Sequence, residues 1–286
     1  PSYAESFTAV GEVRHLRGSG SWLLTRPVAD TAWRDALLGY PHLVARDPRG
    51  LHDDVQAVAA LADIVAVSAL TDPLSGLDEE RLRPSFPDLV RVDARHYIAD
   101  LVSFWPARDH RRAVREALRR VDVDVEDAPA DLVPAWEALA GAALPGAELG
   151  LSAESLARQL ALPGCVAFSA LAADGPVAMA VVYVSGEDAT LHALTTSPAG
   201  EALGARYALV QTIVEDMAGR GLRRLDLGSA DEEPAFMEGW TRELRPAYRC
   251  GRVVDRLAYD ELVASAGTRD SAAFPSYRDP VARLAT

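Results

Sequence analysis

The hydrophobic pattern in the second half of the chain changes from strand-like to helical in a regular order. Three apolar stretches separated by short turns that contain glycine predict an antiparallel meander. These predicted strands are 166–172, 177–185 and 189–196. A helix of about 20 residues then runs from Pro198 to Met217, and a Gly-Arg-Gly sequence follows that is typical of helix ends. A strand RRLDLGS, a helix EPAFMEGWTREL and a strand YRCGRVVD complete this half.

The first half gives less regular signals. Apolar runs predict strands, and apolar stripes at helical spacing predict helices. The predicted strands are 21–25, 42–45, 64–70 and 90–102, and the predicted helices are 31–38, 51–62, 109–120, 131–142 and 152–160. The fold class expected for the 286 residues is therefore α/β (α+β), with mixed central sheets flanked by helices in two domains.

Composition excludes several mechanisms. All 29 basic residues are arginine, so a Schiff base or a P-loop clamp, which both need a lysine amine, is excluded. The formal net charge of −13 argues against a main surface that binds nucleic acid, although a local basic patch remains open. The two cysteines predict reduced core thiols, and no metal site is expected. Since no apolar run approaches the ~20 residues of a membrane span, a cytoplasmic protein is expected.

Two segments carry the motifs of a known family. From His192 to Trp240 the chain has a His-Leu-like strand end, a long helix, a D-x-G strand end and a helix FMEGW. The other segment is the arginine-rich HRRAVREALRRVDVDVE. The first segment resembles the second repeat of the GNAT superfamily, in particular of the Fem-type peptidyl and aminoacyl transferases and their BioF2-like relatives, and the arginine-rich segment resembles the element that closes their first repeat. The resemblance implies two tandem GNAT-like repeats, at 1–125 and 126–260, with the active-site cleft in the second. Residues 261–286 are then a C-terminal appendage.

The resemblance also implies that the acyl donor lies where two central strands separate. Acetyl-CoA enzymes of this fold carry [RQ]-x-x-G-x-[GA] at the following helix, whereas this chain has Glu201-Ala-Leu-Gly204-Ala-Arg206. A carboxylate at Glu201 repels a pyrophosphate, and Arg206 fills the place of a small residue. This departure disfavours CoA and favours an aminoacyl ester on tRNA. The alternative interpretation is that Glu201 only complements the helix dipole.

Catalytic candidates come from the strand ends of this cleft. His192 occupies the position that the family pattern fills with histidine, and its reference pKa near neutrality suits proton transfer. A histidine in mid-strand can equally be a structural core residue. Asp231 and Glu232, after the strand RRLDLGS, are the candidate carboxylates, and a solvated acidic turn is the alternative for both. Asp226, inside that strand, is expected to be buried and hydrogen-bonded.

The substrate-binding residues expected around the cleft come from several predicted elements. They are Tyr183, Thr195, Arg206, Tyr207, Ser229 and Trp240. Trp240 is either part of the core or a wall of the acceptor pocket. Met237 stands where Fem-type enzymes commonly carry lysine, so any contact of that lysine is lost or made by an arginine. This departure puts the literal Fem mechanism in doubt.

An arginine face is predicted on the helix 109–120 and its flanks. Its members recur at spacings of four, three and four, which places them on one side of a helix. They are Arg108, Arg112, Arg115 and Arg119. Guanidinium groups in this arrangement can bind the phosphates of an RNA. The alternatives are a solvated face or neutralisation by nearby carboxylates such as Glu116.

These patterns lead to an acyltransferase that forms an amide. The expected donor is an aminoacyl-tRNA, and the acceptor is an amine of a small molecule or peptide. No cofactor is required, and acyl-CoA is possible as a co-substrate. Two alternatives stay open: an acyl-CoA-dependent GNAT N-acetyltransferase, and a non-catalytic scaffold that keeps the GNAT fold. The oligomeric state is not predicted.

Overall fold

The computed structural model describes residues 3–8, 10–28, 30–45, 47–127, 129–140, 153–231, 234–268, 271 and 273–278. The chain divides into two compact units. The central unit comprises residues 95–245. The terminal unit comprises Tyr3–Ala94 and the described residues from Pro246 onward.

The described segments contain both strands and helices. The strands are β1 (Glu12–His15), β2 (Trp22–Pro27), β3 (Arg34–Leu43), β4 (Ile64–Thr71), β5 (Leu89–Asp100), β6 (Asp122–Asp127), β7 (Cys165–Ala172), β8 (Gly175–Ser185), β9 (Asp188–Thr196), β10 (Arg224–Ser229) and β11 (Leu244–Val253). The helices are α1 (Pro48–Ala59), α2 (Glu79–Leu82), α3 (Arg108–Ala117), α4 (Val133–Ala140), α5 (Ala153–Leu160), α6 (Pro198–Leu203), α7 (Ala205–Gly219), α8 (Pro234–Met237) and α9 (Arg256–Ala266).

In the terminal unit the strands follow the order β1, β2, β3, β4 and β11. The first three are antiparallel, β4 is parallel to β3, and β11 is antiparallel to β4. Helix α1 makes the crossover between the parallel strands. The carboxylate of Asp47 accepts a hydrogen bond from the Arg49 N–H at 2.9 Å and caps this helix. Leu51, Val55 and Val58 of α1 are buried in the core of the unit.

The predicted helix at 31–38 is wrong, because five of its eight residues, 34–38, form the first half of β3. Alanine, leucine and arginine favour a helix in isolation. Here, however, Leu37 and Leu38 pair with both β2 and β4, and Leu38 is fully buried. Pairing on both edges outweighs a propensity difference of a few tenths of a kcal/mol per residue.

In the central unit the strands follow the order β5, β10, β9, β8, β7 and β6. Strands β7, β8 and β9 form the predicted antiparallel meander, and β10 is parallel to β9 after the helical crossover, so both predictions are confirmed. Helices α3 and α7 pack on one face of the strands, in a hydrophobic cluster that includes Phe168 of β7 and both Leu209 and Ile213 of α7. Helices α4 and α5 contribute Trp136 and Leu160 to a second cluster, which packs on the other face of the strands. A mixed sheet flanked by helices is the fold class that the sequence predicts.

Two predicted helices are shorter in the structure. The helix from Pro198 to Met217 is interrupted at Gly204, whose φ of +72° ends α6 and starts α7. The segment EPAFMEGWTREL forms only the single turn of α8 among its described residues. The interruption follows from glycine, which adopts the left-handed conformation without the steric penalty of a side chain.

The compact units do not divide the chain where the predicted repeats do. The central unit begins at Arg95 because β5, from the first half of the chain, pairs with β10. Strand β11, from the second half, pairs with β4 in the terminal unit. The described part of the predicted appendage also packs within the terminal unit, where Phe274 stacks on Tyr259 at 5.8 Å. The division into two GNAT-like repeats stays a prediction.

Candidate active site

The parallel strands β9 and β10 pair for only part of their length. Their common register ends at Asp226 opposite Thr190, although β9 continues to Thr196 and β10 to Ser229. Beyond that point the facing backbone groups of these two strands are not paired with each other in the described register. N–H groups in such an opening can bind the oxyanion that develops during acyl transfer. This is the strand separation that the resemblance implies.

His192 lies in a β-bulge beside this opening. Ala193 pairs with Val181 and Leu191 pairs with Val182, so His192 is the extra residue of β9. A bulge redirects the side chain that it contains and is frequent next to active sites. The half-buried His192 ring packs edge-on against Tyr183, with 5.2 Å between the ring centroids. The structure thus brings two of the predicted site residues together.

A row of polar side chains crosses the sheet at the point of separation. Tyr183 of β8 is paired with Thr190 of β9, and Thr190 is paired with Asp226 of β10. Residues paired across neighbouring strands share a face of the sheet. The row therefore lies on one face, together with the ring of His192, which contacts Tyr183. Thr195 is on this face as well, because it pairs with Met179 from the same hydrophobic cluster as Tyr183.

Asp226 is buried and hydrogen-bonded, as the sequence predicts, and its partner is a histidine that the sequence analysis did not single out. Nδ1 of His96 lies 3.0 and 2.9 Å from the two carboxylate oxygens of Asp226. The N–H of Gly228 also donates to this carboxylate at 2.9 Å. His96 is 8% exposed and Asp226 is 1% exposed. The sequence gives no periodic signal for His96, because residues 96–99 of β5 are all buried in succession.

Burial disfavours the thiolate form of the two cysteines. Burial raises the pKa of the Cys165 thiol to about 12, although a hydrogen bond with the Tyr183 side chain opposes the shift. Burial also raises the pKa of Cys250 to about 12. Both thiols are free and buried, which confirms the prediction of reduced core cysteines. A thiol with such a pKa has almost no thiolate at neutral pH.

The turn between β9 and α7 has a backbone built around two glycines. Ser197 caps α6 by accepting a hydrogen bond from the Gly200 N–H at 3.1 Å. Gly200 also lies directly against β8, where a Cβ atom would be 2.3 Å from the carbonyl oxygen of Val177. A side chain at this position would clash with backbone. Together with the left-handed Gly204, this explains why the turn contains two glycines.

Two side chains of that turn, Glu201 and Arg206, form an ion pair with each other. Nη1 of Arg206 lies 3.4 Å from a carboxylate oxygen of Glu201, and the guanidinium lies 4.3 Å from the ring centroid of Phe236. The Arg206 side chain is 17% exposed and that of Glu201 is 55% exposed. The ion pair offsets part of the negative charge that Glu201 brings to the turn. The same guanidinium contacts both the Glu201 carboxylate and the ring of Phe236.

Tyr207 and Trp240 lie in an aromatic cluster on the α3 and α7 side of the sheet. His110 contacts Tyr207 edge-on at 5.1 Å and Trp240 edge-on at 5.0 Å, and its Nε2 lies 2.7 Å from the carbonyl oxygen of Phe236. Trp240 is only 2% exposed and belongs to the main hydrophobic cluster. Of the two interpretations for Trp240, burial favours the core residue. Arg206, Tyr207 and Trp240 are therefore separated by the sheet from Tyr183 and His192.

The loop after β10 contains the remaining candidates. Ser229 is half-buried and accepts a hydrogen bond from the Asp231 N–H at 3.2 Å. Asp231 is exposed. Glu232 lies outside the described residues. Ser229 pairs with His96 in the register of β10 and β5, which places it next to the buried pair.

The predicted arginine face is exposed. Arg112 forms an ion pair with Glu116 at 3.5 Å, while Arg108, Arg115 and Arg119 have no ion pair within the part of the chain that the structure describes. Since α3 ends at Ala117, Arg119 lies in the turn that follows the helix. Trp105, just before α3, is 76% exposed, and the guanidinium of Arg111 lies 4.6 Å from the centroid of its ring.

The described residues show no arrangement typical of a metal site or of a membrane-spanning helix. In the described segments no group of three or more His, Cys, Asp or Glu side chains is placed to hold a metal ion. No helix of the described residues has the length and apolar character needed to cross a membrane.

Comparison with known proteins finds a family model that matches part of the central unit. Residues 107–236 match the family model described as an acetyltransferase (GNAT) domain. This segment is similar to a GNAT domain. It contains β9, β10, the helices α6 and α7 that connect them, and the bulge at His192. No curated protein matches the sequence.

Solved structures share the fold over nearly the whole chain. FemX has a TM-score of 0.64 at 13% identity, over 91% of this chain and 92% of that chain. L-PGS from Bacillus licheniformis has a TM-score of 0.63 at 12% identity, over 99% and 90%. The C-terminal domain of a protein named as a lysylphosphatidylglycerol synthetase, from Agrobacterium fabrum, has a TM-score of 0.61 at 13% identity, over 94% of both chains. The resemblance to Fem-type GNAT proteins is confirmed for the fold.

Proposed function

We propose that the protein is an acyltransferase of the Fem type, which passes an aminoacyl group from an aminoacyl-tRNA to an amine and forms an amide. The observation that carries the proposal is the separation of β9 and β10 beyond Asp226 and Thr190, with polar side chains on one face of the opening. Acyl transfer needs an oxyanion-binding site beside a group that accepts a proton, and this opening offers both.

The reaction follows from these groups. The acceptor amine attacks the ester carbonyl carbon of the donor, and a C–N bond forms while the C–O bond to the ribose breaks. Backbone N–H groups in the opening stabilise the oxyanion. The amine loses a proton, and the ribose oxygen gains one as it leaves. His192, Asp231 and Glu232 are the candidates for proton transfer that the sequence predicts. The structure adds the pair of His96 and Asp226.

The donor preference rests on the turn before α7 and on the arginine face. In the turn, Glu201 keeps a carboxylate where a CoA pyrophosphate would bind, and Arg206 is engaged with it. On the arginine face, Arg108 and Arg115 are exposed cations that can bind RNA phosphates, and the exposed ring of Trp105 offers a surface for base stacking. The name of one structural neighbour, a lysylphosphatidylglycerol synthetase, is consistent with transfer of an aminoacyl group.

The second candidate function is transfer of an acetyl group from acetyl-CoA. It is favoured by the description of the matching family model and by the backbone of the donor turn, which retains Gly200 and the left-handed Gly204. Bare N–H groups at the start of α7 can bind an anion if the side chains move aside.

Thermal unfolding with each donor separates the candidates. A ligand that binds only the folded state raises the free energy of unfolding by about 2.7 kcal/mol at a concentration 100 times its Kd. We expect charged tRNA to raise the melting temperature more than uncharged tRNA, and acetyl-CoA and CoA to have little effect at micromolar concentration. Submicromolar binding of acetyl-CoA would establish the second candidate. No shift with any donor favours the non-catalytic scaffold.

A further inference from the structure

Trp105 lies on the surface of the central unit, in a loop that is anchored on both sides of it. Phe104, the residue before it, packs against the main hydrophobic cluster. Pro106, the residue after it, is buried, and the Ala107 N–H donates a hydrogen bond to the carbonyl oxygen of Gly239 at 2.8 Å. Because its neighbours are fixed in this way, the backbone directs Trp105 outward, and the residue is 76% exposed.

One face of the Trp105 ring is covered by a guanidinium group. The Cζ atom of Arg111 lies 4.6 Å from the ring centroid, a distance at which a cation and an aromatic ring attract each other. Nη1 of Arg111 also donates a hydrogen bond to the carbonyl oxygen of Pro106 at 2.6 Å, which holds the guanidinium over the ring. Since Trp105 is 76% exposed with this contact in place, the opposite face of the ring is open to solvent.

The segment around this ring is strongly cationic. From Trp105 to Arg120 the chain has six arginines and two carboxylates, Asp109 and Glu116, so this segment has a formal net charge of +4. The whole chain has a formal net charge of −13. A polyanion is the partner that such a segment attracts, and an exposed aromatic ring within it favours a polyanion that also carries flat bases.

Helix α3 lies between this surface and the turn before α7, where the acyl donor is expected. Ala117, at the end of α3, has its Cβ 3.6 Å from the position that a Cβ atom of Gly204 would occupy. His110, near the start of α3, contacts Tyr207 of α7 edge-on. Helix α3 thus packs along the first turns of α7. An RNA bound to the exposed side of α3 would be separated from that turn by roughly one helix diameter, about 10–12 Å.

We propose that Trp105 and Arg111 form a platform on which an unpaired base of the RNA donor stacks. The base lies on the open face of the Trp105 ring, Arg111 fixes the ring from the other side, and the exposed Arg108 and Arg115 bind neighbouring phosphates. A base inside a duplex is covered on both faces by its neighbours, so the platform selects single-stranded RNA. The proposal deepens the proposed function and rests on it for the identity of the RNA.

The competing explanation is a contact between two copies of this chain, because tryptophan and arginine also dominate many contacts between proteins. Two variants separate the explanations. Trp105→Ala removes the ring, and Trp105→Phe keeps a smaller aromatic surface for stacking. The matched control is Val102→Ala, since Val102 lies in the same loop and is also 76% exposed but has no ring. Thermal unfolding checks that each variant is folded.

The measurement is a filter-binding titration at several salt concentrations. The probes are tRNA, an unstructured single-stranded RNA and the same strand annealed to its complement. We expect Trp105→Ala to bind tRNA and the single strand about 10-fold more weakly or less tightly still, Trp105→Phe to lose less, and Val102→Ala to retain the wild-type affinity. The slope of log K against log salt concentration should stay unchanged in Trp105→Ala, because stacking on a neutral ring releases no counterions. Duplex binding should be the same in all four proteins.

The outcomes distinguish the platform from the proposed function. Unchanged affinity of Trp105→Ala for tRNA and the single strand overturns the platform, and so does an equal loss for the duplex or a loss that comes with a smaller salt slope. If, in addition, sedimentation shows that Trp105→Ala dissociates a wild-type oligomer, the ring belongs to a contact between copies. Weaker binding of single strands by Trp105→Ala, in a protein that forms no amide from aminoacyl-tRNA, supports the platform and overturns the proposed function. A wild type that binds no RNA at low salt overturns both.

Discussion

The arginine face can be tested by removing two cations that have no ion pair in the described structure. The double variant Arg108→Gln/Arg115→Gln changes the formal net charge from −13 to −15. Both side chains are exposed and lie away from His110, Val114 and Ala117, the buried residues of α3. Exposed substitutions of this kind usually change the free energy of unfolding by less than about 0.5 kcal/mol, so the variant should fold.

The expected effect on RNA binding follows from counterion release. Each phosphate contact contributes about 0.9 to the slope of log K against log salt concentration. Two lost contacts therefore lower the slope by about 1.8, which corresponds to roughly 30-fold weaker binding at 0.15 M salt and roughly 200-fold at 0.05 M. Replacing Arg112 should have a smaller effect, because Glu116 already competes for its guanidinium at 3.5 Å.

The assay is a filter-binding titration with tRNA at several salt concentrations. The matched control is Arg81→Gln/Arg223→Gln, which changes the net charge equally but removes exposed arginines outside α3. If the control weakens binding as much as the test variant, net charge rather than the arginine face explains the effect. If the wild type binds no RNA at low salt, the tRNA donor is refuted and a small-molecule donor takes its place.

Three further predictions concern individual side chains. Glu201→Gln removes the carboxylate from the donor turn, so we expect calorimetry to show several-fold tighter CoA binding, and unchanged affinity would contradict the role of Glu201. Because their pKa values are about 12, Cys165 and Cys250 should resist alkylation at pH 8 in the folded protein and react only after unfolding; rapid labelling of folded protein would show that they are accessible. The hydrogen bond and ion pair with Arg34 lower the pKa of Asp63, so their stabilising effect is complete above the ordinary pKa of aspartate and declines as the pH falls towards the lower value in the folded state. Since both side chains are partly exposed, the pair should contribute less than about 1 kcal/mol to the free energy of unfolding. Denaturant titrations of the wild type and of Asp63→Asn at several pH values should show that the difference in stability between them disappears in acid.

The order of elements in the central unit could be predicted because its signals are local. Alternation and glycine turns mark β7, β8 and β9, and a helical stretch before β10 requires a parallel crossover. The helix predicted at 31–38 is wrong for the opposite reason. Strand β3 is stabilised by neighbouring strands on both edges, and local composition does not show these neighbours. The interruption at Gly204 depends on the left-handed backbone conformation of that one residue. The hydrophobic pattern continues through it, so the sequence predicts a single helix.

The candidate site was only partly predictable. His192 was found through a family pattern, but its bulge depends on the register between β8 and β9. Asp226 was expected to be buried and bonded, whereas its partner His96 is 130 residues away in the sequence. No spacing rule connects residues so far apart, so only the pairing of β5 with β10 shows that they meet. Trp240 shows the converse, because its burial decides between two interpretations that the sequence leaves open.

The central claim is that the protein forms an amide from an aminoacyl-tRNA at the opening between β9 and β10. The most direct measurement incubates the wild-type protein with a mixture of primary amines and peptides, together with either isotope-labelled aminoacyl-tRNA or isotope-labelled acetyl-CoA. Mass spectrometry then identifies labelled products that resist mild alkali, as amides do and esters do not. The account predicts labelled amide from aminoacyl-tRNA and none above background from acetyl-CoA. Labelled amide from acetyl-CoA alone would contradict it.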